Sequence, residues 1–290
     1  MQIKSNSIFS STATYVFNGE QTDLPSSPAL EKKLHENRTI YEKNNAIRRT
    51  SQLPSTKDKW NIMKGGFNAI VKSIMHPSSV QRSSNDTCTE YRVIDMAIAY
   101  DSTYCNALNG KENAEAEIQS IISRVSNIYQ RDVCLKVKIS YLEGFCDVSS
   151  DPYDEILKKN EDDIDGVLHD FKDYWNENKT DIDRTVAHLF TDVRMQSGTL
   201  GSAFLGTACR KRWGYGVEEV PWSKEKAKRA GVVAHELGHN MGADHVEDPG
   251  CAKFVMNSGV SDGSDGFHSA SETSIGKYIG TTSCMRTESV

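Results

Sequence analysis

The eleven residues from His235 to His245 read His-Glu-Leu-Gly-His-Asn-Met-Gly-Ala-Asp-His. Residues four apart on a helix lie on the same side, so this spacing predicts that the imidazoles of His235 and His239 project from one helix face. Gly242 follows three residues after His239, and a glycine there accepts the left-handed backbone that ends a helix in a sharp turn. We expect that turn to return His245 to the other two imidazoles.

Three imidazoles that meet at one point can bind a transition metal, and three protein ligands with an open fourth position are typical of a catalytic Zn²⁺. The glutamate after the first histidine of an H-E-x-x-H helix acts as the general base in zinc proteases. Glu236 lies roughly 100° further round the helix than His235, near the metal without ligating it. The sequence therefore predicts one zinc ion bound by His235, His239 and His245, with Glu236 as the catalytic residue. Incidental histidines in a buried helix would not explain the whole pattern.

The flanking residues are consistent with this interpretation. Residues 225–241 are predicted to form the active-site helix, because apolar residues recur within them near helical spacing. Met256 follows His245 by eleven residues. A methionine turn at such a place is the second signature of metzincins. A gap-filling core methionine is the alternative for any single methionine, but the position of Met256 favours a structural Met-turn.

With these motifs the sequence resembles the adamalysin or reprolysin type of metzincin zinc metalloprotease, the family that contains ADAM proteases and snake-venom metalloproteases. Asn240, directly after the second histidine, is typical of that branch. The resemblance covers about residues 90–286. It identifies residues 93–101 with the first strand of the family, residues 113–131 with its first long helix, and Phe267 to Cys284 with its closing segment and last helix.

The resemblance also implies where a substrate binds. The stretch from Gly198 to Cys209 resembles the edge strand on which an extended peptide pairs by strand addition. The implied substrate-binding residues are Gly201, Ser202, Ala203, Phe204, Leu205 and Gly206. The family further implies a disulfide between Cys209 and Cys284. Residues from Met256 to Gly259 are expected to form a wall of the main specificity pocket.

Some positions depart from the family pattern. Val246 stands directly after the third histidine, where the family usually has aspartate, and Phe254 stands where many members have cysteine. Some members bind calcium far from the zinc, and Asp95 matches one carboxylate of that site. Thr185 and Thr287 stand where other calcium ligands would be expected, so calcium binding is doubtful.

The order of the elements predicts a mixed α/β fold. Strands and helices alternate from about residue 90 to 206, which indicates a twisted mixed sheet with covering helices. A small irregular C-terminal subdomain at 243–286, with the Met-turn, completes the metzincin-like architecture. The expected elements are a strand at 93–100, a helix at 113–131, a strand at 133–143, a helix at 161–177, and strands at 185–191 and 199–206.

We predict a catalytic domain at 88–290 and a separate polar region at 1–87. Residues 1–87 contain no cysteine, and residues 60–75 are a candidate amphipathic helix. This region is either a remnant of an inhibitory pro-region or a flexible tail with one docked helix. Residues 1–20 contain no apolar run of the length that a secretory signal peptide needs.

Composition narrows the function classes. The chain has 290 residues and a net charge of −6, which argues against a nucleic-acid partner. No apolar stretch is long enough to span a membrane. Dispersed cysteines without C-x-x-C pairs indicate disulfides in an oxidising compartment, so an extracellular or secreted protein is favoured despite the missing signal peptide. The five cysteines other than Cys209 and Cys284 cannot be paired from sequence: Cys88, Cys105, Cys134, Cys146 and Cys251. Because five is an odd number, one of them must be left over.

The sequence thus predicts a zinc-dependent endopeptidase that hydrolyses peptide bonds of protein or peptide substrates. Zn²⁺ activates a water molecule and polarises the scissile carbonyl, while Glu236 accepts the proton and passes it to the departing amine. One alternative is a catalytically inactive protein-binding module of the same fold, against which the intact Glu236 argues. Another is a gluzincin-type peptidase with a downstream glutamate ligand, against which the position of His245 argues. The natural substrate and the oligomeric state are not predicted.

Overall fold

The computed structural model describes residues 88–195, 198–247, 253–259 and 266–290. The N-terminal region at 1–87, with the helix expected at 60–75, lies outside the described residues. The strands are β1 (Glu90–Tyr100), β2 (Leu135–Gly144), β3 (Val186–Thr191), β4 (Gly201–Ala203), β5 (Tyr215–Glu219) and β6 (Thr287–Ser289). The helices are α1 (Ser102–Ala107), α2 (Lys111–Val133), α3 (Asp154–Lys159), α4 (Ile164–Asn178), α5 (Lys226–Asn240) and α6 (Ser269–Gly280).

The strands of the described residues form one sheet in the order β2-β1-β3-β5-β4, with β6 paired to β1. Neighbouring strands from β2 to β5 are parallel, whereas β4 is antiparallel to β5 and β6 is antiparallel to β1. All residues of β3 and β5 are buried, as expected for central strands that helices cover on both faces. The predicted mixed α/β fold with covering helices is confirmed.

Two hydrophobic clusters lie on the two faces of this sheet. On one face α2 and α5 pack against the strands. This cluster extends to Met256 and Phe267 of the segment after α5, which we call the lower part. On the other face α4 contributes Phe171 and Trp175. Every residue of α5 from Arg229 to Asn240 is buried, so this helix runs through the molecule between the sheet and the lower part. No helix among the described residues combines the length and apolar character that crossing a bilayer requires.

The edge strand is shorter than predicted. We expected a strand over 199–206, but β4 spans Gly201–Ala203. The Phe204 amide still donates to the first residue of β5 (3.3 Å), whereas the Gly206 amide donates to the carbonyl of His239 (2.8 Å). The chain therefore leaves the sheet after Phe204 because the end of α5 takes over its backbone hydrogen bonds.

Strand β5 was not predicted. Its sequence Tyr-Gly-Val-Glu-Glu contains residues that strands usually lack. Its buried Glu218 carboxylate forms a hydrogen bond with the His188 ring of β3 through one oxygen. A Cβ at Gly216 would lie 2.6 Å from that ring, so this position requires glycine.

The C-terminal tail, which follows the predicted subdomain at 243–286, returns to the sheet. The Val93 amide donates to the Arg286 carbonyl (2.9 Å), and β6 then pairs with the start of β1. The Arg286 guanidinium lies 2.9 Å from the Asp95 carboxylate, and the Asp95 amide donates to the Thr185 hydroxyl (3.1 Å). The carboxylate considered as a calcium ligand thus has a cationic partner within the chain.

Disulfides connect distant parts of the described chain. Cys209 is bonded to Cys284 with a Cα–Cα distance of 5.7 Å, which is the pairing implied by the family resemblance. The other bonds are Cys88–Cys134 and Cys105–Cys146, which sequence reasoning had left open. Cys251 lies outside the described residues.

The Cys209–Cys284 bond is expected to stabilise the fold because its two ends are separated by 75 positions in the sequence. Removing such a cross-link frees the unfolded chain, so we expect Cys209→Ala with Cys284→Ala to lower the free energy of unfolding by about 2–4 kcal/mol. Urea unfolding of the variant and of the wild type measures this difference. A peptide map under non-reducing conditions is the control, and an unchanged unfolding midpoint would contradict the prediction.

Candidate active site

The three predicted ligand histidines converge. The Nε2 atom of His235 lies 3.0 Å from that of His239 and 3.0 Å from that of His245, and the last two are 3.2 Å apart. Nitrogens at 2.0–2.1 Å from a tetrahedral Zn²⁺ are separated by about 3.3 Å, so the observed spacing fits this ion. Among the described residues, no other group of three or more His, Cys, Asp or Glu side chains lies close enough together to hold a metal ion.

The outer nitrogens of two rings are held by backbone carbonyls. Nδ1 of His235 donates to the carbonyl of Val255 (2.7 Å), and Nδ1 of His239 donates to the carbonyl of Ala243 (2.8 Å). These bonds leave the Nε2 lone pairs directed at the common centre. Burial, reinforced by the neighbouring imidazoles, lowers the pKa of His235 to about 3 and the pKa of His239 well below its usual value. Both rings are therefore neutral and able to bind a cation.

The expected turn at Gly242 positions His245. Gly242 has φ +83°, in the left-handed region that favours glycine, and its amide donates to the His239 carbonyl (2.9 Å). The Ala243 amide donates to the Gly238 carbonyl (2.9 Å). These bonds close the end of α5 and reverse the chain, which brings His245 to the two helix histidines.

The segment around Met256 packs directly under the helix that bears the histidines. Met256 is fully buried, and its Sδ lies 2.4 Å from the position that a Cβ on Gly238 would take. The Val246 amide donates to the Met256 carbonyl (2.9 Å), and the Asn257 side chain donates to the Val246 carbonyl (3.2 Å). Sequence reasoning missed Asn257, which braces the chain after the third histidine where the family usually has an aspartate.

Glu236 is buried beside the edge strand. A Cβ on Gly201 would lie 2.5 Å from its Oε1, so only glycine at that position leaves room for the carboxylate. Its Oε2 has no hydrogen-bond partner among the described residues. Burial raises the pKa of Glu236 well above its usual value, and the negative charges of Glu218 and Asp165 add to this effect. A carboxylate with high proton affinity and a free oxygen is suited to accept a proton.

Backbone hydrogen bonds show which groups of the edge strand face outward. The Leu200 carbonyl accepts from the last residue of β5 (2.8 Å), and the Phe204 amide donates to the first (3.3 Å). Antiparallel pairing alternates, so the Leu200 carbonyl, the backbone groups of Ser202 and the Phe204 amide face β5. Gly201 and Ala203 therefore direct theirs to the free edge, since β4 is the last strand of the sheet.

The remaining residues of the implied substrate segment have other contacts. The Phe204 ring is buried and lies 5.2 Å from the His169 ring and 5.5 Å from the Trp213 ring. Leu205 is partly exposed, and the Gly206 amide is bonded to α5. The Ser202 hydroxyl donates to the Asp165 carboxylate (2.6 Å) on the face opposite Glu236.

Comparisons with known proteins agree with this geometry. The chain is 26% identical over 185 residues to the zinc metalloproteinase-disintegrin-like brevilysin H2a of Gloydius brevicauda, covering 59% of this chain and 40% of that protein. It is 41% identical over 78 residues to the human (Homo sapiens) disintegrin and metalloproteinase domain-containing protein 9, covering 26% of this chain and 9% of that protein. It is 41% identical over 70 residues to the snake venom metalloproteinase H5 of Deinagkistrodon acutus, covering 24% of this chain and 17% of that protein.

The chain thus spans less than half the length of each of these relatives. A reprolysin-type family model, described as metallo-peptidase family M12, matches residues 90–289. That range includes the whole described sheet from β1 to β6, the three converging histidines and the segment beneath them. Because the match extends over most of its length, the chain belongs to the reprolysin-type M12 metallopeptidases.

Proposed function

We propose that this protein is a zinc-dependent endopeptidase with His235, His239 and His245 as the metal ligands and Glu236 as the catalytic base. The observation that carries this proposal is the convergence of three Nε2 atoms within 3.2 Å of one another. The neighbouring carboxylate of Glu236 has an oxygen without a partner among the described residues. Three nitrogen ligands leave one tetrahedral position open, as catalytic zinc sites do.

The chemistry divides between the ion and the protein. When bound, Zn²⁺ supplies Lewis acidity to the scissile carbonyl and to water. Glu236 accepts the proton of the attacking water at a carboxylate oxygen and returns it to the nitrogen of the leaving amine. Because its burial favours the protonated form, Glu236 holds that proton between the two transfers. Beside a bound dication the Glu236 carboxylate would keep its negative charge and could react as a base.

The edge strand supports a peptide substrate in extended conformation. The outward backbone groups of Gly201 and Ala203 can pair with a peptide that runs antiparallel to β4. Gly201 also contacts Glu236, so pairing at this residue places the peptide backbone next to the proposed base. We therefore propose protein or peptide substrates for this chain, with residues 88–290 as the catalytic domain and 1–87 as a separate region. The disulfides support an extracellular location.

A catalytically inactive binding module of the same fold is the alternative. Such a module would not need a buried carboxylate, because burying an ionisable group without a partner destabilises a fold. Glu236 is 2% exposed and keeps one oxygen unpartnered within the described chain. That arrangement supports the enzyme over the module.

The first test concerns the ligand set. We expect His239→Ala to weaken zinc affinity by more than about 100-fold, since even outer-shell partners of a ligand contribute 10–100-fold. Elemental analysis after dialysis against a zinc buffer measures the stoichiometry. His268→Ala, which removes an imidazole outside the cluster, is the matched control and should retain the metal. Full zinc content in His239→Ala at wild-type affinity would rule out these ligands.

The second test concerns the placement of Glu236. Gly201→Ala puts a methyl group 2.5 Å from Oε1 and 2.7 Å from Cγ of Glu236, so the carboxylate must shift. A displacement of about 1 Å can cost about 10²-fold in rate, and we expect kcat/KM to fall by that order with unchanged zinc content. Gly276→Ala is the control, because a Cβ there meets nothing within 4 Å. If the two variants are equally active, the position of the Glu236 carboxylate does not depend on the absence of a side chain at Gly201.

The third test concerns the reaction itself. We expect Glu236→Gln to lower turnover of a quenched-fluorescent peptide by about 10²–10⁴-fold, since the amide cannot accept the proton. Zinc content and the circular dichroism spectrum should match the wild type. Glu112→Gln, at an exposed position on α2, controls for the loss of one negative charge. Equal rates for Glu236→Gln and wild type would show that Glu236 is not the base.

A further inference from the structure

Three polar side chains are completely buried between the sheet and helix α5. They are His188 of β3, Glu218 of β5 and Asn240 of α5, and each is 0% exposed. Burying such groups is unfavourable unless their hydrogen-bonding capacity is used. Asn240 directly follows the proposed metal ligand His239, and Glu218 acts electrostatically on Glu236. The group therefore lies behind the proposed active site without belonging to the ligand set.

The hydrogen bonds of Asn240 fix its own orientation and that of His188. The Asn240 Nδ2 atom donates to the carbonyls of Phe204 (2.8 Å) and Tyr215 (3.0 Å). Both partners are acceptors, so the amide nitrogen must face them and Oδ1 must face Nε2 of His188, at 2.9 Å. Because Oδ1 only accepts, Nε2 of His188 carries a hydrogen.

Glu218 holds the other side of the His188 ring. Its Oε1 forms a short hydrogen bond with Nδ1 of His188. One proton lies between these two atoms, and the bond persists whether the pair is imidazolium and carboxylate or imidazole and carboxylic acid. Gly216 leaves the space that the ring occupies. The imidazole is thus held from both sides, with a single orientation that presents Nε2–H to Asn240.

These contacts reach both the edge strand β4 and helix α5, which carries His235, Glu236 and His239. Asn240 binds the Phe204 carbonyl, where β4 ends, so it joins the edge strand to α5. Glu218 stands opposite Gly201 in the β4–β5 pair, and Gly201 contacts Glu236. Residues directly opposite each other in an antiparallel pair lie on the same face of the sheet, about 4.5–5.5 Å apart at Cβ. Glu218 therefore lies on the face against which Glu236 is packed.

We propose that His188 and Glu218 are positioning residues for the peptidase: their hydrogen-bonded pair orients Asn240, and Asn240 holds the substrate-binding edge strand at a fixed distance from the metal ligands and Glu236. This inference rests on the proposed function. It assigns a role to two buried residues that touch neither the metal position nor the outward groups of the edge strand. The pair acts through the direction of its hydrogen bonds.

Two substitutions of His188 separate the effect of hydrogen-bond direction from the effect of side-chain size. In His188→Gln the side-chain amide can place an N–H near the position of Nε2, so the bond to Asn240 is kept. In His188→Asn the shorter side chain reaches Glu218 but not Asn240. We expect kcat of His188→Gln to stay within about threefold of wild type, and kcat of His188→Asn to fall about 10- to 100-fold, the effect of leaving one buried hydrogen-bonding group unpaired. KM and zinc content should change little in either variant.

Glu218 allows the same comparison. Glu218→Gln can donate to Nδ1 of His188 and keeps the ring in place, whereas Glu218→Leu removes the partner of that nitrogen. We expect near wild-type kcat for the first variant and a decrease of about 10-fold or more for the second. Equal losses for all four substitutions, or no loss for any, would overturn the positioning role.

Hydrogen exchange provides a readout that does not depend on catalysis. The amides of Gly206, Thr207 and Ala208 donate to the carbonyls of His239 and Asn240, so their protection reports the junction between edge strand and helix. Exchange should be about 10- to 100-fold faster in His188→Asn and unchanged in His188→Gln. Identical protection in both would refute the proposal, even with an active enzyme. An inactive wild type in which the two variants differ as expected would instead refute the peptidase function and retain the positioning role.

Discussion

The carboxyl end of helix α5 is held by the amide groups of the chain that follows the edge strand. The last carbonyls of a helix have no partner within the helix. Here the carbonyl of His239 accepts from Gly206, and the carbonyl of Asn240 accepts from Thr207 and Ala208. One set of hydrogen bonds therefore completes the helix, ends the edge strand and joins the proposed metal ligands to the proposed substrate-binding surface. The distance between the proposed metal site and the proposed peptide-binding edge follows from this junction.

Close packing around α5 gives the junction its rigidity. Gly238 lets the sulfur of Met256 approach the helix from below, and Gly201 lets the carboxylate of Glu236 approach the edge strand from within. The Val255 carbonyl, next to Met256, accepts from His235 and orients that ring. A side chain at either glycine would occupy space that a functional group already fills. The helix is therefore in contact with its neighbours at the residues on which the proposed chemistry depends.

The C-terminal tail, at the periphery of the fold, is held by a disulfide, by strand pairing and by ion pairs rather than by close packing. Cys209–Cys284 connects the turn after the edge strand to the chain that follows α6. Beyond it, β6 pairs with the start of β1, and Glu288 of β6 is bonded by Lys136 and Lys138 of β2. These cations, together with Arg286, lower the pKa of Glu288 to about 2. Exposed ion pairs stabilise a fold only weakly, so they mainly select the position of the tail, while the disulfide and backbone pairing hold it.

The sequence by itself determined what depends on near neighbours along the chain. Helices α2 and α5 were predicted to within two residues of their observed ends, because helical periodicity is a local property. The spacing from His235 to His245, with Gly242 between them, indicated a three-histidine site for the same reason. The family resemblance added the Cys209–Cys284 pair and the edge strand, although it made that strand too long.

Only the tertiary structure decided the features that depend on contacts between distant residues. Strand β5 contains residues that strands usually lack, and its buried Glu218 is paired with His188 from another strand. The partners of Cys88 and Cys105, and the brace that Asn257 gives to Val246, likewise depend on how separate segments meet. The junction at the end of α5 belongs to this group, since its donors lie more than thirty residues before its acceptors. The local sequence pattern specifies which side chains are present, and tertiary packing specifies which of them come into contact. The second depends on packing because the free energy of a buried polar contact depends on both partners.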